Sequence, residues 1–219
     1  MSAYVITIMD NPQSIQAAAR CIASGQLQPN KVHIKHHHAF TPKDNLTDLL
    51  ERNGIKNLEN FKNDQRYSRL DRCIAAFLSH LYCWKQCIID NEFTLIFEHD
   101  AIMIGNLPEK LWFDKIITLA KPSYGKFNIP TKLGVGPMVQ AQYTKGAHGY
   151  MISPEGAKEL LEKAKTDAGP TDTFLNLNNF PFLQEYYPWI IEARDTFTTI
   201  QNQQGCAAKH NYNEQYKII

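Results

Sequence analysis

Long apolar runs are missing from this sequence. No stretch approaches the roughly 20 residues that a helix needs to cross a bilayer, so no membrane-spanning helix is expected. Excess charge is missing as well: the formal net charge is +1 over 219 residues, and no global field pulls the chain toward nucleic acid or a lipid surface. A local basic face stays open, because a sum does not report where charges lie. Cysteine is sparse and unpatterned: Cys21, Cys73, Cys83, Cys87 and Cys206 are an odd number without zinc-site spacing. Cys83 and Cys87, four apart in an apolar helical stretch, read as buried free thiols rather than a disulfide or metal pair. Residues 1–8 lack the charged start and the length of a signal peptide, which points to a reducing, cytoplasmic setting. Repeats, low-complexity tracts and linkers are absent too, so residues 1–219 are expected to form one domain.

What is present is an ordinary balance of 43% hydrophobic and 21% charged residues, enough for a substantial core. Residues 4–8 are an apolar, β-branched run closed by the turn signal Asp10-Asn11-Pro12. An alanine-rich helix over residues 14–24 ends at Gly25, and residues 31–35 alternate like a strand. Strand, turn, helix, strand is the opening of an α/β unit with parallel strands. Residues 41–67 are polar and predict loops with one or two short helices. The clearest helix follows, where Leu70, Ile74, Phe77, Leu78, Leu81, Trp84 and Ile88 recur at spacings of three and four. Arg72, Ala76 and Ser79 fall opposite that stripe, a small-residue face that admits a close neighbour.

Residues 93–97 read as a fully buried strand that stops at Glu98-His99-Asp100. A helix is expected from Pro108 to about Lys121, a loop at residues 134–137 and a strand at 147–152. Ser153-Pro154-Glu155 then gives an N-cap, a first-turn proline and an acidic first turn for a helix reaching Lys165.

Charged residues at the end of an apolar strand lie at the carboxyl edge of the sheet, where open α/β folds bind ligands. Glu98 and Asp100 are two apart, so extended backbone would project them to one side. Two carboxylates there suit a hard divalent cation held jointly with substrate phosphates, which would neutralise a departing diphosphate. A structural or merely solvated acidic pair has the same spacing.

The surrounding motifs separate these readings. Leu78-Ser79-His80 with Trp84 precedes Phe97-Glu98-His99-Asp100; then come His148-Gly149-Tyr150-Met151-Ile152-Ser153, leading to Gly156-Ala157, and Pro170-Thr171-Asp172-Thr173-Phe174-Leu175. In this order, from Arg72 to Leu175, the chain resembles glycosyltransferase family 25, the group of lipooligosaccharide-biosynthesis enzymes and collagen galactosyltransferases. It departs from the family pattern at His99, where the motif has an acid, and in the segment Arg72-Cys73-Ile74-Ala75, where a glycine usually opens the helix motif.

The resemblance implies a GT-A-type fold, a Rossmann-like nucleotide-binding mixed sheet flanked by helices. It implies a hexosyl- or pentosyltransferase that takes a UDP-sugar donor with Mn2+ or Mg2+ and inverts at the anomeric carbon. Asp100 is then the metal ligand, and Glu98 contacts the metal shell or the nucleotide ribose. His99 either ligates the metal or stacks near the base, and a late histidine, His210, reaches back to the metal. Asp10 and Asn11 cradle the nucleotide or form a plain Asp-Asn-Pro turn. Arg72, Ser79 and His80 join the donor site, with a satisfied structural histidine as the alternative for His80, and His148 lines the donor or acceptor side. Asp172 is the general base or, alternatively, an N-cap.

The run His33, His36, His37 and His38 is expected to be a polar surface strand and loop, because adjacent histidines on a strand face opposite ways. Two acceptor classes stand: a lipooligosaccharide-like saccharide, or a hydroxymethylated base in phage DNA. The second would place Lys31, Lys35, Lys43, Lys56, Lys62, Arg66 and Arg69 against phosphates, where a solvated face is the alternative. A different class altogether is a catalytically silent nucleotide-sugar-binding module of the same fold.

Overall fold

The computed structural model describes residues 1–63, 69–194 and 199–200. In chain order the elements are β1 (Ser2–Thr7), α1 (Pro12–Gln26), β2 (Lys35–His38), α2 (Leu46–Arg52), α3 (Glu59–Asn63), α4 (Leu70–Asp90), β3 (Thr94–Glu98) and β4 (Ala101–Met103). They continue with β5 (Ile116–Thr118), β6 (Gly134–Pro137), β7 (Gly149–Ile152), α5 (Pro154–Asp167), α6 (Thr171–Phe174), β8 (Gln184–Tyr187) and β9 (Ile191–Ala193). Seven strands form one mixed sheet in the order β2-β1-β3-β7-β5-β8-β6, and β4 pairs with β9 in a small second sheet. The mixed sheet flanked by helices is the Rossmann-like architecture that the motifs implied.

Strand alternation divides the core in two. Ile6, Ile96, Ile116, Tyr150 and Ile152 face one side and pack with α4 and α5. Ala3, Val5, Leu95, Phe97, Ile117 and Met151 face the other, against Ala18 and Cys21 of α1 and the β4–β9 pair. The helix α1 starts where the sequence signals it: Asn11 accepts the N–H groups of Gln13 and Ser14, and Pro12 opens the first turn. Its small buried residues let it lie close to the sheet; a Cβ on Gly25 would stand 2.8 Å from the Val32 carbonyl oxygen.

The long helix α4 is buried nearly all round, and Asn91 in the left-handed region (φ 50°) ends it. Burial of a side chain such as Phe77 contributes about 2–3 kcal/mol. The small-residue face opposite the apolar stripe admits a close neighbour, the backbone at Phe40. Ser79 is fully buried there, donating to the Ala75 carbonyl (2.8 Å) and accepting the Phe40 N–H (2.9 Å). Ser153 caps α5 by accepting the Gly156 N–H, and a Cβ on Gly156 would meet the Lys115 carbonyl oxygen at 2.2 Å.

Three expectations are corrected. Residues 108–115 form no helix; Trp112 is 83% exposed, so the apolar stripe a helix would need finds no cover. The β-branched run Ile116-Ile117-Thr118 is instead an inner strand, buried on both faces between β7 and β8. Residues 134–137 are the edge strand β6 rather than a loop, an edge where its proline and glycines are tolerated. Strand β2 begins at Lys35: Val32 and Ile34 are buried as the alternation requires, but pairing with β1 starts one step later. Cys83 and Cys87 are buried free thiols, as read, and Cys21 and Cys73 are buried too; Cys206 lies outside the described residues. Among the described residues no helix is long and apolar enough to cross a membrane.

Candidate active site

Strands β1, β2, β3, β5 and β8 share one direction, and β7 and β6 run against them. Three loops that follow strands in sequence thus come to one edge of the sheet: residues 8–11, 98–100 and 119–125. The chain entering β7, residues 145–148, arrives at that edge from the other direction. Register fixes the detail, since Glu98 pairs with Ile6 and Phe97 with Gly149.

Glu98 is held from the core. Indole Nε1–H of Trp84 donates to the Tyr150 hydroxyl (2.8 Å), whose oxygen lies 2.9 Å from His80 Nδ1. The other ring nitrogen, Nε2, is 3.2 Å from Glu98 Oε1. Nδ1 of His80 shares a hydrogen bond with the Tyr150 hydroxyl, and its Nε2–H donates to the Glu98 carboxylate. His80 is 2% exposed and Glu98 32%, so the relay begins in the core and ends at the open edge. Burial acts to raise the Glu98 carboxyl, but the hydrogen bond from His80 and the fields of His80, His148 and His99 outweigh it and hold the group below its usual range.

Beyond Glu98 the chain leaves extended conformation. His99 and Asp100 form a turn between β3 and β4, strands of different sheets, so the same-side projection expected of Glu98 and Asp100 does not apply. Glu98 meets His80 on the α4 side of the sheet, whereas the charge of Asp100 is felt by Cys21 on α1. The Asp100 carbonyl accepts the Arg194 N–H at 2.8 Å. His99 Nδ1 lies 3.1 Å from the Ser14 hydroxyl, which also accepts the Ile8 N–H (2.9 Å). The histidine that departs from the family pattern thereby ties the acidic turn to the first turn of α1. Burial, with the charge of Arg20 and against that of Glu98, keeps its ring below the ordinary histidine range.

Asp172 stands in the single turn of α6, whose N-cap position is Pro170. Its carboxylate accepts the Tyr124 hydroxyl at 2.5 Å through Oδ2 and the Thr173 N–H at 2.8 Å through Oδ1. Thr144 Oγ1 donates to the Asp172 carbonyl (3.0 Å). Burial and then the Asp172 charge push the Tyr124 phenol well above its usual range, so it stays protonated. Tyr124 follows β5, which places Asp172 at the same edge as Glu98.

The remaining residues divide. Asn11 caps α1, and exposed Asp10 pairs with Lys43. Ser79 is spent on backbone groups inside the fold, and Arg72 donates to the Thr199 carbonyl (2.9 Å). His148 is buried, and its carbonyl accepts the Glu98 N–H (3.3 Å). His210 and Arg66 lie outside the described residues. On β2, His37 packs edge-on against Tyr4 while His36 bonds to Thr7, so neighbouring histidines do face opposite ways. Lys35 opens β2, Lys31 precedes it and Lys43 follows it; Lys43 pairs with Asp10 and Lys62 with Glu59. Sequence reasoning missed Tyr124, Tyr143 and Lys145, and gave Tyr150 no role beyond its motif. Only the Gly149-Tyr150 pair carried a local signal.

The relay, the acidic turn and Asp172 fall within residues 13–175, the span that matches the family model described as glycosyltransferase family 25 (LPS biosynthesis protein). No curated protein matches the chain. Motifs far apart in sequence meet at one sheet edge, and with the family match they lead to one conclusion: the chain belongs to glycosyltransferase family 25 and is a glycosyltransferase.

Proposed function

We propose that the protein moves a sugar from a UDP-sugar to a saccharide hydroxyl with inversion, using Asp172 as the base. The observation that carries this reading is the ionised Glu98 at the end of β3, with Asp100 in the next turn and Asp172 on the same sheet edge. Among the described residues no set of three His, Cys, Asp or Glu side chains can hold a metal alone. Mn2+ or Mg2+ is commonly bound through one or two carboxylates and completed by substrate phosphates and water. Held by Asp100, with Glu98 on the other side of the sheet left for the nucleotide ribose, such a cation would supply charge neutralisation at the diphosphate.

Asp172 takes the proton of the acceptor hydroxyl as that oxygen forms its bond to the anomeric carbon. On the opposite face the bond from that carbon to the phosphate oxygen breaks, and its electron pair leaves with the diphosphate. Tyr124 and the Thr173 N–H hold the carboxylate for this task. Two of the basic residues that a duplex phosphate backbone would need, Lys43 and Lys62, are paired with carboxylates instead, which favours the saccharide acceptor. Purified protein incubated with a panel of UDP-sugars and Mn2+ should release UDP slowly by hydrolysis, and faster with an acceptor saccharide. Folded protein that releases none from any donor would instead be a silent binding module.

A further inference from the structure

Lys145 lies on the chain that enters β7, with its ammonium beside Tyr124 and Tyr143. Strand β7 lies between β3 and β5 in the sheet, so the chain approaching it passes between the acidic turn and the Tyr124–Asp172 pair. Its course is fixed on both sides. Ser123 donates to the Lys145 carbonyl through its N–H (2.8 Å) and its hydroxyl (3.0 Å), and three residues on, the His148 carbonyl accepts from Glu98. Gly146 makes the bend, with φ of 107° and a Cβ position only 2.5 Å from His148 Nδ1 and 2.7 Å from Ser123 Oγ. No other residue fits there.

The ammonium itself is held by rings. Nζ lies 4.6 Å from the centre of Tyr143 and 5.5 Å from that of Tyr124, and it donates to the Tyr143 hydroxyl at 3.4 Å. Lys43, Lys62, Lys115, Lys121, Lys163 and Lys165 each pair with a carboxylate. Lys145, half-buried, makes no such pair among the described residues; the same holds for Lys85 and several exposed lysines, and what sets Lys145 apart is its place beside Tyr124, which holds Asp172. Ring faces attract a cation but use few of its three donors. A half-buried ammonium oriented in this way has donors left for an anion that arrives with the substrate.

We propose that Lys145 binds the diphosphate of the nucleotide donor and donates to the phosphate oxygen that takes the electron pair when the sugar departs. This rests on the reading of the site as a UDP-sugar transferase. Calorimetric binding of UDP and of uridine, in Mn2+, tests it with wild type, Lys145→Met and Lys145→Arg. Methionine keeps the stem between the tyrosines and removes the charge. Lys145→Met should lose about ten- to a hundredfold in UDP affinity, the range of one charged hydrogen bond, with uridine affinity unchanged. Lys145→Arg should keep most of the UDP affinity.

Equal UDP binding by wild type and Lys145→Met overturns the assignment and leaves the transferase reading intact. Weaker binding of an acidic saccharide with UDP binding unaltered overturns it too, and moves the lysine to the acceptor. Wild type that binds no nucleoside diphosphate sinks the transferase reading, and this inference falls with it. Unliganded melting temperatures show whether the variants fold; should methionine not be tolerated, Lys145→Gln repeats the comparison.

Discussion

Two carboxylates meet at this sheet edge, and they are held in opposite ways. Glu98 is gripped by core side chains: Trp84, Tyr150 and His80 line up behind it, and the last of them is 2% exposed. Asp172 is gripped by loops and a single helical turn, through Tyr124, the Thr173 N–H and Thr144. A charge set by the packed interior is fixed in place and ionisation, which suits the part proposed for Glu98 at the donor. A carboxylate set by surface segments keeps access to an arriving hydroxyl, as proton transfer requires. Glu98 ends one of the parallel strands β1, β2 and β3, whereas Asp172 is held by segments that follow the mixed strands.

Removing the exchangeable charge should have the largest effect. Asp172→Asn is expected to lower transfer by about 10²- to 10⁴-fold while UDP binding stays intact. Unchanged turnover would take Asp172 out of the chemistry and dissolve the contrast. Next comes the core side. Tyr150→Phe leaves the Trp84 N–H and His80 Nδ1 without their shared partner, at a cost of about 1–3 kcal/mol in denaturant unfolding. A variant as stable as wild type would show that the relay does not carry Glu98.

Tyr124→Phe, on the loop side, should cost little stability and lower kcat by about five- to tenfold with donor KM unaltered. A large stability loss would mean that Asp172 is as deeply embedded as Glu98.

The smallest effect is visible only in acid. Burial, with the fields of His80 and His38, lowers the His37 ring to about 4. The unfolded chain takes up that proton near pH 6.5, ahead of the folded one. The stability His37 permits is therefore complete above about pH 6.5 and declines as pH falls toward 4. His37→Phe should flatten the Tm profile in that window and leave pH 7 almost untouched. A profile unchanged by the substitution would show that the ring titrates normally.

The sequence made the local features readable. The stripe from Leu70 to Ile88, the Asn11 and Ser153 caps and the abrupt end of the strand at Glu98 are each written in neighbouring residues. Strand β5 was hidden because its three residues fall inside a run opened by Pro108, a residue that mimics a helix start, and β6 because glycine-rich edge pairing has no periodicity. For Ser79 helical spacing left ligand and backbone contact both open, and only the fold shows that the segment after β2 supplies the backbone contact. The contacts that define the two acids were out of reach for a different reason. His80 and Tyr150 are 70 residues apart, and Tyr124 and Asp172 are 48 apart, so only the folded sheet introduces them.

The most direct test is the rise in melting temperature caused by UDP, measured with and without Mn2+ in wild type and in Asp100→Ala. Mass action makes ligand at a hundred times its Kd worth about 2.7 kcal/mol of stability, well within reach of the measurement. If residues 98 to 100 hold the cation against the diphosphate, Mn2+ will enlarge the wild-type shift and leave Asp100→Ala, equally well folded without ligand, nearly unmoved. An equal Mn2+-dependent shift in both proteins would contradict a cation at the end of β3.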